Sequence, residues 1–524
     1  MAYDLKNLDF DVVRRALEKL TFTPYGAEAA RELEPPEDIE IARRMQQAVS
    51  AGRRLSDAGA LPRLDEVPGI RAALRQAASP GAALNPRALR NILEVMAAAR
   101  QLAALLERAP ELYPQSREHL RPDEALREVL EHCIEPGGVI HRQASEALAD
   151  LHGEYEAQRE AAEMVIRRVQ QRPELKDWIK DPARVHWQGV RAVVAIRAEG
   201  ADRLKGVRRG SQAGGLDQLV EPLEAVAANN QLERLAGKIS AEQQRLLREL
   251  TAQVHASLPA LERMLDAMTW IDLALAGGRL SAQMGAHAPR LVDEPGVDLR
   301  QAYHPLLLMQ FIQGTLERPV PLSLRLDDET RFLLITGPNT GGKTVALKTL
   351  GLLVIMAQCG LHIPAEEDCT IGWYRSVMVD MGDRQSLYHQ LSTFAGHVEV
   401  MKQILQRADE RSLLLLDELG TGTDPKEGAA LAMAMMDEMV ERHCQGIVNS
   451  HLAPLKDYAE ARPHILNAAM SFDRETLSPT YRLTAGVCGE SLGLTIAERN
   501  GLAGEVVARA RRYWQQLNTG VKTD

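Results

Sequence analysis

Residues 332–344 read Phe-Leu-Leu-Ile-Thr and then Gly-Pro-Asn-Thr-Gly-Gly-Lys-Thr, an apolar run feeding a G-x-x-x-x-G-K-[ST] loop that opens a helical stretch. Gly337, Gly341 and Gly342 let the backbone curl so that its N–H groups face phosphate oxygens, with Pro338, Asn339 and Thr340 completing the cradle. Lys343 supplies a point charge and the Thr344 hydroxyl a ligand for Mg²⁺, so the pattern predicts ATP with Mg²⁺ as the bound species. About seventy residues on, Leu413-Leu414-Leu415-Leu416 ends in Asp417-Glu418, an apolar run suited to a strand buried on both faces and tipped by two acids. Asp417 is placed to hold the Mg²⁺, and Glu418, one residue later, to polarise the attacking water.

Three further segments set the type of site. Gly382-Asp383-Arg384-Gln385-Ser386 follows the first helix, Leu391-Ser392-Thr393-Phe394 precedes the acid strand, and Gly420-Thr421-Gly422-Thr423-Asp424-Pro425 follows it. That is the order of an ABC-type cassette, in which Gln385 faces the nucleotide and Ser392, too far from its own loop, caps the nucleotide of a second copy. A homodimer with composite sites is therefore expected. After the next apolar run, His451 falls where such cassettes keep a γ-phosphate sensor, and it is read here as catalytic.

The elements that must carry these groups follow from the rest of the chain. From the start to about residue 140 the sequence is helical, broken by turns such as Glu34-Pro35-Pro36. Ala144, Leu148, Leu151, Tyr155, Ala162, Val165 and Val169 step by three and four, as do Leu232, Leu235, Ile239, Leu246 and Leu250, predicting two long helices that run back against each other. Between them, 184–221 is β-branched and glycine-punctuated, a small β-rich tip. Arg191, Arg197, Arg203, Lys205, Arg208 and Arg209 face only Glu199 and Asp202 there. The cluster reads either as a phosphate-gripping tip for nucleic acid or as a solvated charged face.

The chain has 524 residues, several domains' worth, with 45% apolar and 26% charged residues, which excludes wholesale disorder. Aromatic residues are only 4%, which favours helices over an all-β build. With a net charge of −10, any nucleic-acid affinity has to come from a local patch. Five cysteines without a C-x-x-C pair suggest neither a zinc site nor a disulfide framework, and the absence of an apolar leader or membrane-length run predicts a cytoplasmic protein without membrane contact.

Together GPNTGGKT, STFAGH, LLLLDELGTGTDPKEGAAL and SHLAPLK resemble the MutS family of ATPases, and specifically its second bacterial subfamily. The opening LDFDVVRRALEKLTFTPYGAEAA, the segment VRAVVAIRAEGADRLKGVRRGSQAGG, HPLL at 304–307 and the closing PTYRLTAGVCGESLGLTIAERNGL extend the likeness over essentially the whole chain. The resemblance implies a multidomain α and α/β fold: a helical core with long lever arms and a small β-rich clamp, plus an ABC-type P-loop ATPase domain. The implied layout is a helical core at 1–145, lever arms at 146–260 with the clamp tip near 184–221, a core return at 261–300, the ATPase domain at 301–478 and a helix-turn-helix dimerisation element at 479–524.

No phenylalanine is followed two places later by Glu, so mismatch reading of the F-x-E kind is not expected. The subfamily implies instead an ATP-driven clamp on branched or junction DNA that suppresses homologous recombination, or an ATPase that splits stalled ribosomes through rRNA contacts. Family members usually continue into an Smr nuclease domain, so nuclease activity is not expected of this stretch. Asp150-Leu151-His152-Gly153 matches the Smr signature only by coincidence, lying inside the heptad pattern. Asn449-Ser450 replace the paired threonines usual before the switch histidine, and Arg384 stands where an acid is common.

Overall fold

The computed structural model describes residues 2–64, 66–179, 181–212, 216–337, 342–381, 393–472, 479–488, 494, 497–498 and 501–519. The chain forms two compact units: Met1–Asp65 with Ala104–Arg117 and Ala267–Asp524, and Glu66–Ala103 with Glu118–Asp266. The stretch 1–145, expected as one helical core, contributes residues to both units. The cause is local packing: Leu84 N–H donates to Thr251 Oγ1 at 2.9 Å, Ser257 Oγ to Asp123 Oδ2 at 2.8 Å, and the His255 ring lies 3.0 Å from the Ala77 carbonyl. Segments early in the sequence are bonded to the long helix Leu223–Ala256.

In this second unit the helices Glu146–Gln170 and Leu223–Ala256 pack antiparallel. Ser145 caps the first, its Oγ accepting from Leu148 N–H at 3.1 Å and donating to Glu242 at 2.9 Å. Further along, Gln158 reaches the Ala228 carbonyl, and Arg172 pairs with Glu224 at 2.7 Å. Chain numbers rise on one helix as they fall on the other. Ala162, Ile166, Val169 and Leu232 join Ala192, Val194, Ile196 and Val220 in one apolar core under a four-stranded antiparallel sheet. Its order is His186–Gln188, Arg191–Arg197, Asp217–Pro222, Gly206–Gln212.

The first unit is organised by a seven-stranded sheet. Its order is Ala2–Tyr3, Ser376–Asp380, Ser412–Leu416, Gln445–Ser450, Thr330–Thr336, His464–Phe472 and Pro479–Ala485. Every neighbouring pair is parallel except the last. Ser412–Leu416 and Gln445–Ser450 are buried along their whole length, the signature of strands covered on both faces. Gly446 is required between them, since a Cβ there would lie 2.0 Å from the Leu414 carbonyl oxygen. The helices Lys343–Gln358 and Pro425–Glu441 supply apolar faces, and Met436 and Met439 are fully buried in the core of this sheet.

Pro479–Ala485, assigned from sequence to the C-terminal helical element, is the sheet's last strand, and the helix Gly504–Thr519 follows it. A segment with Thr480, Tyr481 and Thr484 suits an antiparallel edge better than a helix. At the opposite edge the first residues of the chain join the same sheet: Asp4 N–H donates to the Val377 carbonyl and Tyr3 Oη to the Tyr374 carbonyl. Lys348, on the helix that follows the glycine loop, pairs with Asp9 at 2.8 Å.

Candidate nucleotide site

Ligands of open parallel sheets bind beyond the carboxyl ends of the strands, and three such ends converge here. Thr336 runs into Gly337, Leu416 into Asp417, and Ser450 into His451. Gly342 (φ +91°) is the N-cap of Lys343–Gln358, so the helix begins with a left-handed residue that only glycine adopts at little cost. Pro338, Asn339, Thr340, Gly341, Gln385 and Ser392 lie outside the described residues.

Lys343 is almost wholly buried, and its Nζ donates to the Gly337 carbonyl at 2.7 Å, folding the ammonium back over its own loop. Burial pulls its pKa below the ordinary value, while Asp417 and Glu418 favour the charged form. The adjacent Thr344 Oγ1 donates to Asp417 Oδ2 at 2.6 Å. A hydroxyl from the first turn of a helix and a carboxylate at a strand end therefore meet at one point, as a shared divalent cation requires. Among the described residues no group of three or more His, Cys, Asp or Glu side chains is arranged to hold a metal unaided. A Mg²⁺ held by one carboxylate and one hydroxyl, with phosphate oxygens and waters as the remaining ligands, fits this donor set.

Asn449 completes the arrangement: its Nδ2 donates to Asp417 Oδ1 at 3.0 Å, so both oxygens of Asp417 are engaged. Sequence reading registered Asn449 only as a departure from the paired threonines; the parallel pairing of the two strands brings it beside the acid. Glu418 has φ +56°, rare for a residue with a side chain, and the turn is fixed by Leu419 N–H on the Asn449 carbonyl and Thr421 N–H on the Glu418 carbonyl. His451 is exposed just past the end of its strand.

The basic tip belongs to the other unit, and its six cations are not equivalent. Glu221 is fully buried and accepts from Arg191 Nη1 at 2.8 Å, Arg209 Nε at 2.7 Å and Asn229 Nδ2 at 2.8 Å. Burial pushes the Glu221 carboxyl up, but the bonds from Asn229, Arg209 and Arg191 outweigh it and hold it below the usual range. Arg208 pairs with Asp202, and Arg203 lies 5.2 Å from the centre of the Trp178 ring. Arg197 and Lys205 are exposed.

A parallel sheet thus brings Gly337, Lys343 and Thr344 together with an acid pair at its carboxyl edge, and residues 333–518 match the family described as MutS domain V. The chain is 36% identical to Endonuclease MutS2 of Pelotomaculum thermopropionicum over 512 residues, which is 97% of this chain and 64% of that protein. It is 36% identical over 521 residues to Endonuclease MutS2 of Symbiobacterium thermophilum, covering 98% of this chain and 63% of the relative. Endonuclease MutS2 of Geobacillus thermodenitrificans is 35% identical over 518 residues, at 97% and 64%. Over nearly its whole length the chain is similar to these MutS2 proteins, and it spans a little under two thirds of the length of each.

Proposed function

We propose that the protein is an ATP-dependent DNA-binding clamp, hydrolysing ATP with Mg²⁺ in composite sites of a homodimer and acting on branched or junction DNA to restrain recombination. The observation that carries this reading is the meeting of Thr344 and Asp417 at 2.6 Å beside the buried Lys343, at the carboxyl edge of a parallel sheet. Lys343 and the loop N–H groups bind the β- and γ-phosphates, Thr344 and Asp417 hold the metal, and Glu418 orients the attacking water. His451 senses the γ-phosphate from the neighbouring strand end, Gln385 reports the filled site, and Ser392 closes the site of the second subunit. Arg197, Arg203, Lys205 and Arg208 offer the tip's phosphate contacts, while Arg191 and Arg209 serve chiefly to neutralise Glu221. Among the described residues no helix is long and apolar enough to cross a membrane.

The test is ATP turnover together with cosedimentation, using a four-way DNA junction, linear duplex and purified ribosomes, each with and without ATP. Lys343-dependent turnover with ATP-dependent retention of the junction is expected. Retention on ribosomes alone would replace DNA by rRNA as the held polymer, and turnover indifferent to Lys343→Ala would remove the assigned site.

A further inference from the structure

Beside the acid pair sits a histidine that the ATPase reading leaves without a task. His397 lies near the start of the helix Thr393–Arg407, which begins one residue after Ser392. Its Nδ1 is 3.0 Å from Asp380 Oδ2, and the two side chains are only 25% and 12% exposed. Asp380 ends the strand next to the acid-tipped one, and its carbonyl accepts the Asp417 N–H at 2.7 Å. The ring is therefore tied, through one residue, to the strand end that presents Asp417 and Glu418.

Asp380, Phe394, His397, Glu418 and Thr421 also line a single small cavity of about 20 Å³, enough for one water molecule. The remainder of its wall is apolar, which strengthens the hydrogen bonds made inside it. On the far side the backbone of Phe394 packs against Gly422, so the start of the helix touches the loop that leaves Glu418 as well. Glu418 itself holds a left-handed backbone, a conformation that persists only where the surroundings impose it.

We infer that His397, oriented by Asp380, is a positioning residue for Glu418, coupling the N-terminal part of the helix after Ser392 to the carboxylate that activates water. The inference rests on the ATPase reading above and deepens it. Nδ1–H donates to Asp380, which fixes the ring and turns its other edge to the cavity that Glu418 shares. A shift of this helix, such as engagement of Ser392 by a second subunit imposes, then changes the orientation of Glu418 on the same chain. In the alternative His397 merely closes the core between helix and sheet, so that its loss costs stability and nothing specific to turnover.

The experiment compares the whole chain with His397→Ala, His397→Asn, Asp380→Asn and the double variant His397→Ala/Asp380→Asn. It measures steady-state ATP turnover, affinity for a non-hydrolysable ATP analogue and the melting temperature. His397→Ala should lower kcat about tenfold or more, with KM and analogue affinity changed by less than about twofold. His397→Asn, whose amide N–H falls near the Nδ1 position, should recover part of the loss, and the double variant should be no slower than the worse single one. Wild-type kcat in His397→Ala overturns the inference. So does equal loss of kcat, analogue affinity and melting temperature in both the Ala and Asn variants, which is the pattern of a scaffold residue. If the unsubstituted protein shows no Lys343-dependent turnover, the ATPase reading fails first and the inference with it, an outcome distinct from either.

Discussion

Truncating Arg191 tests whether the tip's cations form a binding patch or a structural cluster. Glu221 has no exposed side-chain surface, and its Oε1 is shared between Arg191 Nη1 and Asn229 Nδ2, each at 2.8 Å, while Oε2 is held by Arg209. Arg191→Ala leaves Oε1 with one neutral donor in a site closed to water. Because Arg209 stays on Oε2, the charge is only partly compensated, and the cost should lie at or just below the about 3–5 kcal/mol of a fully broken buried pair. Arg209 is about one-third exposed where Arg191 is 16% exposed, so water can replace more of its contact and Arg209→Ala should cost less, about 1.5–3 kcal/mol, as for a hydrogen bond to a charged group. Arg208 and Asp202 are both exposed, and Arg208→Ala should cost about 0–1 kcal/mol.

Amide hydrogen exchange over 191–197 and 217–222 resolves the three, because local opening free energies are read directly from protection. Protection of Ala192, whose N–H is bonded to Asn229 Oδ1 at 2.9 Å, should fall most in Arg191→Ala. Salt dependence of DNA binding should follow the opposite order: Arg208→Ala flattens the slope by nearly one log unit if it contacts one phosphate, without loss of protection. Equal protection in Arg191→Ala and the unsubstituted chain would refute the reasoning. Acidification offers a second check with a definite sign. The folded carboxyl is depressed, so its contribution is present above the ordinary carboxylate range and lost as pH falls through the folded value.

Lys343→Ala should abolish measurable ATP affinity in calorimetry, since loop N–H groups alone do not neutralise a triphosphate; retained affinity would move the site elsewhere. Ser392→Arg should leave ATP binding intact yet stop turnover, and mixing it with Lys343→Ala should restore one working composite site; demonstrated heterodimers without activity would exclude a shared site. His304 and His362 are both pulled down to about 4 by burial. Since the fold favours their neutral forms, stability is full above pH ~6.5 and falls by at most ~1.4 kcal/mol per pH unit for each histidine down toward the folded value. Melting temperature should drop between pH 7 and 5 and drop less steeply in His362→Gln, and a flat profile would count against these assignments.

Much of this architecture is legible in the sequence wherever one physical signal dominates. The run Leu413–Leu416 reads as a doubly covered strand because nothing polar interrupts it, and it is buried throughout. Spacing at three and four marks both long helices: Ala162 and Val169 are buried in the core and Val165 packs against it, while Ile166, outside the stripe read from spacing, is fully buried there. A helix's apolar face is set by what it packs against, and one-residue drift is invisible until the partner is known. The charge pattern is least informative at the tip, because Glu221 looks like any surface acid in the sequence. Its partners Arg191, Arg209 and Asn229 come together only through the antiparallel pairing of 206–212 with 217–222 and the packing of the following helix. His397 and Asp380 were equally hidden, being seventeen residues apart on a helix and a strand that meet only at the end of the sheet.

The central claim is that ATP closes a dimer around branched DNA, and Glu418→Gln tests it most directly. The substitution keeps Asp417 and Thr344 for the metal but removes the carboxylate that activates water, so the protein should load and stall. Analytical ultracentrifugation of this variant with a labelled four-way junction, with and without Mg-ATP, reads oligomer and DNA occupancy in one run. The account predicts that Mg-ATP converts the variant to a dimer whose junction affinity differs from that of the nucleotide-free protein by about 1–3 kcal/mol, the range typical of coupled sites. A stalled, ATP-loaded variant that stays monomeric, or a dimer whose hold on the junction is unchanged by ATP, would contradict it.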